Sequence, residues 1–154
     1  MLLIDTYLNV LEPHESKELV DIAEQHLKAL SPIHPGYQTH EFSEILNNLN
    51  KGYLIEKLIK QANLRDYQLL KSWVNYSDAN IKFTNWLTHN PPIRKSLVCY
   101  IKNPEQRGTI FNVDGHVFQD EAPENSMIVF NSSVLHTVPE NITLPRYSLA
   151  IDFT

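Results

Sequence analysis

The 154-residue sequence holds one cysteine and four glycines, and it lacks any excess of positive charge: 13 Lys and Arg stand against 18 Asp and Glu, a formal net charge of −5. The lone Cys99 can close no internal disulfide, which excludes a disulfide-stapled secreted scaffold. It lies in the apolar run Leu97-Val98-Cys99-Tyr100-Ile101 and reads as a buried, inert thiol rather than a nucleophile. Without a basic face the chain has no general attraction for nucleic acid or anionic membrane, so neither is expected as a partner. No apolar run approaches the ~20 residues of a bilayer-spanning helix. The opening Met1-Leu2-Leu3-Ile4-Asp5 has neither the basic segment nor the small-residue cleavage site of a signal peptide. The expectation is a cytoplasmic protein of a reducing compartment.

What is present is ordinary globular material, with 42% hydrophobic and 20% charged residues. That is enough for a single domain over 1–154 and too little for a second core. The acid is uneven. Residues 1–63 carry five Lys and Arg against nine Asp and Glu, whereas 64–154 carry eight against nine. The second half is therefore nearly neutral and has room for a local site that holds an anion.

The two halves also differ in pattern. In 1–63 the reading is helical support. Glu12-Pro13-His14-Glu15 marks a helix start, with Pro in the first turn and acids facing the helix dipole. Leu19, Ile22, Ala23, Leu27 and Leu30 then recur at helical spacing until Ser31-Pro32. A loop over 31–39 leads to a second pattern through Phe42, Ile45, Leu46, Leu49, Tyr53, Leu54, Leu58 and Ile59, with a break near Gly52. From about residue 67 the period changes to two. Strands are predicted at 67–76, 80–88, 95–102, 108–112, 116–119, 126–131, 134–138 and 146–153. Many short strands with no helix between them imply an antiparallel sandwich or jelly roll, mainly β with N-terminal helices covering one sheet.

Of seven histidines, His14 and His26 fall on the first helix, His34 and His40 near the Pro-rich loop, and His116 beside the Asp114-Gly115 turn, where polar residues are expected anyway. His136 differs. It lies within the apolar strand Val134-Leu135-His136-Thr137-Val138, where a ring must find hydrogen-bond partners or bind something. Ten residues on, alternation places Arg146, Ser148 and Ala150 on one face of the last strand and Tyr147, Leu149 and Ile151 on the other. A guanidinium and a hydroxyl on an inward face form a forked donor site suited to a carboxylate. The other reading of Arg146 is a buried cation paired with an acid of the protein itself.

These residues carry a resemblance. Trp86 and His89, the strand Ser96 to Ile101, Gly108-Thr109, the run Glu124-Asn125-Ser126-Met127-Ile128-Val129-Phe130, then Leu135-His136-Thr137-Val138 and Arg146-Tyr147-Ser148 follow one another as in the 2-oxoglutarate- and Fe(II)-dependent oxygenases. The chain resembles their small prolyl-hydroxylase-like members over roughly 67–154. The resemblance implies a double-stranded β-helix core and a mononuclear iron held on one face by two His and a carboxylate. It implies 2-oxoglutarate as co-substrate, decarboxylated to succinate while a substrate C–H bond is hydroxylated. Residue by residue, His136 matches the second metal-binding His, with His89 the candidate for the first. Arg146 and Ser148 match the clamp for the far carboxylate of 2-oxoglutarate, and Tyr100 is an additional clamp candidate. The substrate is expected to be a small molecule or a peptide; neither its identity nor the oligomeric state is legible.

The first ligand motif departs from the family. Where His-x-Asp or His-x-His is expected, this chain has Trp86-Leu87-Thr88-His89-Asn90-Pro91. With His89 as first ligand the partner position is Pro91; with His89 as the second of a pair, the first is Leu87. Asn90 offers only a neutral oxygen, and Asp114 and His116 reach a site only if their hairpin folds over it. The readings left open are an oxygenase with a reduced ligand set, a non-catalytic binding module on the same fold, and a cupin-like metal enzyme without 2-oxoglutarate.

Overall fold

The computed structural model describes residues 4–29, 37–78, 86, 92–121, 123–139 and 142–154. Helix α1 spans Pro13–His26, with Pro in its first turn. The Glu15 carboxylate accepts the Glu12 backbone N–H at 2.8 Å, which satisfies one of the donors orphaned at a helix start. The helix stops at Leu27, whose extended backbone (ψ 135°) turns the chain before the apolar pattern runs out at Leu30. Helices α2 (Phe42–Asn48) and α3 (Tyr53–Gln61) replace the second helical pattern. They are separated by a turn in which Asn50 takes a φ of 58°.

The strands are β1 (Asp5–Leu8), β2 (Lys28–Ala29), β3 (Tyr37–Gln38), β4 (Leu69–Ser77), β5 (Lys95–Lys102), β6 (Ile110–Val113), β7 (His116–Gln119), β8 (Ser126–Asn131), β9 (Leu135–Thr137) and β10 (Arg146–Phe153). A seven-stranded antiparallel sheet has the order β1-β8-β5-β10-β4-β3-β2, and a three-stranded sheet the order β7-β6-β9. The β6–β7 turn has Asp114 at φ 51° and Gly115 at φ 84°, the pair of positive angles that a two-residue Asp-Gly hairpin requires.

Two cores follow from the alternation of side chains. On the outer face of the large sheet, Tyr147, Leu149, Ile151 and Phe153 pack with Leu19, Ile22, Leu46, Leu54 and Leu58 of the helices. Between the sheets, Tyr100, Ile128 and Phe130 of the large sheet pack with Phe111 of the small one. The expected architecture is present: N-terminal helices cover one face of a larger sheet whose other face meets a smaller sheet, as in a double-stranded β-helix.

One difference concerns the N-terminal segment. Beyond its helices it supplies β1, which pairs with β8, and the β2–β3 hairpin, which pairs with β4, so it extends the large sheet at both edges. Strands of two to four residues are too short for a period-two signal to emerge. The strand predicted at 80–88 lies outside the described residues except for Trp86. No helix among the described residues is long and apolar enough to cross a membrane.

Candidate functional site: a buried arginine and a facing histidine

Arg146 opens β10 and is 1% exposed. Register fixes its direction: Ser148, two residues on, pairs with Tyr100, and Tyr100 belongs to the core between the sheets. Arg146 and Ser148 therefore project inward, while Tyr147 packs against the helices. The Arg146 Nε donates to the Arg107 carbonyl at 2.9 Å, and a terminal nitrogen donates to Ser148 Oγ at 3.3 Å. The guanidinium carbon lies 5.4 Å from the centroid of the Tyr100 ring. Ion pairs among the described residues are Lys51–Glu18, Lys57–Glu15 and Lys71–Asp152, and none includes Arg146. Burial pulls its pKa down to about 10, with the Tyr100 phenol opposing that shift and the neighbouring Arg107 adding to it. At neutral pH the group is a desolvated cation with no carboxylate partner among the described residues.

Tyr100 lies beside this guanidinium. Its hydroxyl accepts the Thr109 backbone N–H at 2.9 Å and lies 3.0 Å from both Thr109 Oγ1 and Asp120 Oδ2. One proton serves one of those acceptors at a time. Burial and then the Asp120 charge push the phenol well above its ordinary range, so it stays neutral. What Tyr100 turns toward Arg146 is its ring, since the hydroxyl is held by Thr109 and Asp120. Gly108 makes this closure possible. A Cβ there would stand 2.3 Å from the Asp120 carbonyl oxygen and 3.0 Å from the Tyr100 hydroxyl.

His136 sits on the facing sheet. Strand β9 pairs with β6 so that His136 lies opposite Phe111, and its ring packs edge-on against Phe130 with centroids 5.1 Å apart. Its Nδ1 is 2.7 Å from the Val134 carbonyl oxygen. A carbonyl only accepts, so Nδ1 carries the proton, and in the neutral ring the lone pair is then on Nε2. Thus Arg146, Ser148 and Tyr100 line the inner face of one sheet and His136 that of the other.

Other sequence candidates fall elsewhere. His89, His34 and the Leu87, Asn90 and Pro91 positions lie outside the described residues. Asp114 and His116 are exposed at the hairpin tip. His26 bonds within its own helix, to the Ile22 carbonyl at 2.9 Å. No three His, Cys, Asp or Glu side chains among the described residues converge on a metal position. Cys99 is fully buried and its thiol is pushed up to about 12 by desolvation, as expected of an inert core residue. Gly108-Thr109 carries part of the sequence resemblance, but its contact with Tyr100, and that of Asp120, have no local sequence signal, because they join strand β5 to distant segments through tertiary packing.

No protein-family model matches the chain, and no curated protein matches it. Solved structures do. A 2OG-Fe(II) oxygenase family oxidoreductase from Burkholderia pseudomallei shares 13% identity and a TM-score of 0.73, over 99% of this chain and 85% of that one. A Trichoplax adhaerens prolyl hydroxylase, in complex with a hypoxia inducible factor peptide fragment, gives 14% and 0.67 over 97% and 82%. HygX from Streptomyces hygroscopicus, with nickel, 2-oxoglutarate and hygromycin B bound, gives 12% and 0.69 over 97% and 82%. The chain has the fold of the 2OG-Fe(II) oxygenases. That fold, with its two facing sheets, accounts for the inward placement of His136 and Arg146 on opposite walls.

Proposed function

We propose that the protein binds 2-oxoglutarate at Arg146 and Ser148 and acts as an Fe(II)-dependent oxygenase on a small-molecule or peptide substrate. The observation that carries the reading is Arg146: a buried guanidinium, held in place by the Arg107 carbonyl and Ser148, with no carboxylate partner among the described residues. A desolvated cation without its anion is costly, and a dicarboxylate that docks there repays the cost. The co-substrates of similar folds fit this chemistry, since HygX carries 2-oxoglutarate and nickel.

His136, with its lone pair on Nε2, suits a divalent metal ion, and His89 is the second imidazole that the sequence offers. Bound iron would supply the oxidative decarboxylation of 2-oxoglutarate to succinate that is coupled to hydroxylation. This chain's own part is to orient the co-substrate through Arg146 and Ser148, to hold the His136 tautomer through Val134, and to exclude water with Phe111, Phe118 and Phe130. A second reading, a binding module without turnover, draws on the Leu87 and Pro91 positions, where the family's remaining ligand is absent from the sequence.

One experiment separates the two. Calorimetry of 2-oxoglutarate with Ni(II) present, on the wild type and on His136→Ala, is followed by succinate release under air with Fe(II). Binding that weakens in the variant, together with slow succinate release, supports the oxygenase. Binding without any succinate supports the module, and no binding of 2-oxoglutarate under any condition overturns both.

A further inference from the structure

The loop of residues 103–107 holds the entry into β10 at two points. The Glu105 carboxylate accepts the backbone N–H groups of Thr143 at 2.9 Å and Leu144 at 3.3 Å, and its other oxygen accepts the Thr143 hydroxyl. Two residues on, the Arg107 carbonyl accepts the Arg146 Nε–H at 2.9 Å. The loop is braced from within. Buried Asn103 accepts the Arg107 N–H on its side-chain oxygen and the Gln106 N–H on its carbonyl, both at 3.0 Å, and its own N–H meets Glu124 at 2.7 Å. Gln106, between the two holding points, takes a left-handed φ of 54°, a conformation that persists in a residue with a Cβ only where its surroundings fix it. Three donors on one carboxylate are charge-assisted bonds, stronger than neutral ones; led by the Thr143 hydroxyl, they hold the Glu105 carboxyl below its usual range. Between residues 143–144 and Arg146 stands Pro145 alone, whose ring fixes φ. Displacement at 143–144 therefore has one stiff residue to cross before it reaches β10.

We propose that Glu105 is a positioning residue for Arg146: by tying residues 143–144 to the loop that carries the Arg107 carbonyl, it sets how far the guanidinium reaches, and so which length of dicarboxylate fits. The inference deepens the proposed function and rests on its reading of Arg146 as the 2-oxoglutarate clamp. Arg146 commits Nε to Arg107 and one terminal nitrogen to Ser148, and its other donors meet no partner among the described residues. A guanidinium is a rigid planar fork, so fixing Nε fixes the direction of the edge left for an anion. Ser148 and the Tyr100 ring also bear on Arg146, but both belong to its own sheet. Glu105 and Arg107 are the tie to a separate loop. The far carboxylate of a 2-oxo diacid stands at a distance set by its number of methylenes. A fork held at one depth accepts one length, and a longer homologue is crowded against it. One methylene is worth about tenfold or more in a site that fits closely.

The test uses the full chain labelled with 15N, in which the Arg146 Nε–H signal is assigned by its loss in Arg146→Lys. Without any ligand, that proton should exchange with solvent about tenfold or more faster in Glu105→Ala than in the wild type. Glu105→Gln keeps an acceptor for the Thr143 and Leu144 N–H groups, so its rate should stay near the wild-type value. The second arm is calorimetry, with Ni(II) present, of 2-oxoglutarate and of 2-oxoadipate, which is longer by one methylene. The wild type should prefer 2-oxoglutarate by about tenfold or more; Glu105→Ala should bring that ratio toward unity and Glu105→Gln should restore it. A variant that is merely less stable would weaken both diacids equally, and a ratio left unchanged in Glu105→Ala would overturn the proposal. So would wild-type exchange of the Arg146 proton in Glu105→Ala, or a wild type that binds both diacids alike. Failure of the wild type to bind 2-oxoglutarate would remove the oxygenase reading and the chain-length role with it, whereas the ligand-free exchange rate judges the hold of Glu105 on Arg146 by itself.

Discussion

The guanidinium carbon of Arg146 lies 5.4 Å from the centre of the Tyr100 ring, and the hydroxyl of that same tyrosine is held by Thr109 and by Asp120. The two residues thus divide the work. The electron-rich ring face steadies a buried cation without neutralising it, and the hydroxyl anchors the Gly108-Thr109 segment. A carboxylate in place of the ring would neutralise Arg146 and, under the proposed function, leave nothing for 2-oxoglutarate to pair with.

Arg146→Ala should therefore act on binding rather than on folding. Removing one partner of a buried charge pair costs roughly 3–5 kcal/mol, which is a loss in 2-oxoglutarate affinity of about a hundredfold or more. The far-UV circular dichroism should stay that of the wild type, since the guanidinium meets no protein acid among the described residues. Calorimetry that finds unchanged 2-oxoglutarate affinity would refute the clamp.

Gly108→Ala tests the closure around Tyr100. The added Cβ would meet the Asp120 carbonyl oxygen at 2.3 Å, and that carbonyl already accepts the Gly108 N–H at 3.0 Å. Backbone on both sides of the contact must move apart. Overpacking of this kind costs about 1–3 kcal/mol, so the thermal midpoint should fall and 2-oxoglutarate binding should weaken with it. An unchanged midpoint would mean that the segment is held less firmly than its hydrogen bonds indicate.

Much of this was legible in the sequence, and the reasons are specific. The inward direction of Arg146 and Ser148 follows from period two in a strand of eight residues whose odd positions are all apolar. His136 stands out because an apolar strand gives an imidazole no reason to be there. The Asp114-Gly115 turn is set by local backbone chemistry alone. Strands β1, β2 and β3 were not legible, because two to four residues carry no measurable period and their pairing partners are distant in sequence.

Cys99 offers a simple check on the core. The thiol is fully buried beneath the helices and desolvation pushes its pKa up to about 12, so thiolate is scarce at neutral pH and reagents have no path to it. A disulfide reagent such as dithionitrobenzoate should leave the native protein unlabelled for as long as it stays folded and should titrate one thiol in denaturant. Rapid labelling under native conditions would place β5 at an accessible surface, contrary to the packing described.

The acid limb of stability should run through Glu15. Its carboxylate is buried, accepts the Glu12 N–H at 2.8 Å and meets Lys57 Nζ at 2.6 Å, joining the start of α1 to α3. The Lys57 hydrogen bond lowers the carboxyl below its ordinary value; burial works the other way and loses. A carboxyl with a folded-state pKa below that of the unfolded chain contributes stability that is fully present above the unfolded value, about 4.3 for glutamate. That contribution is lost as pH falls through the lower folded value. Glu15→Gln keeps the shape and removes the charge, so it should destabilise the protein at neutral pH by about 1–3 kcal/mol, the range for a hydrogen bond to a charged group. The gap between variant and wild type should then narrow as the pH is lowered past about 4, because protonation makes the wild type resemble the variant. Denaturant midpoints measured across that range provide the check. Two curves that stay parallel from neutral to acid pH would show that the Glu15–Lys57 contact does not hold α1 against α3.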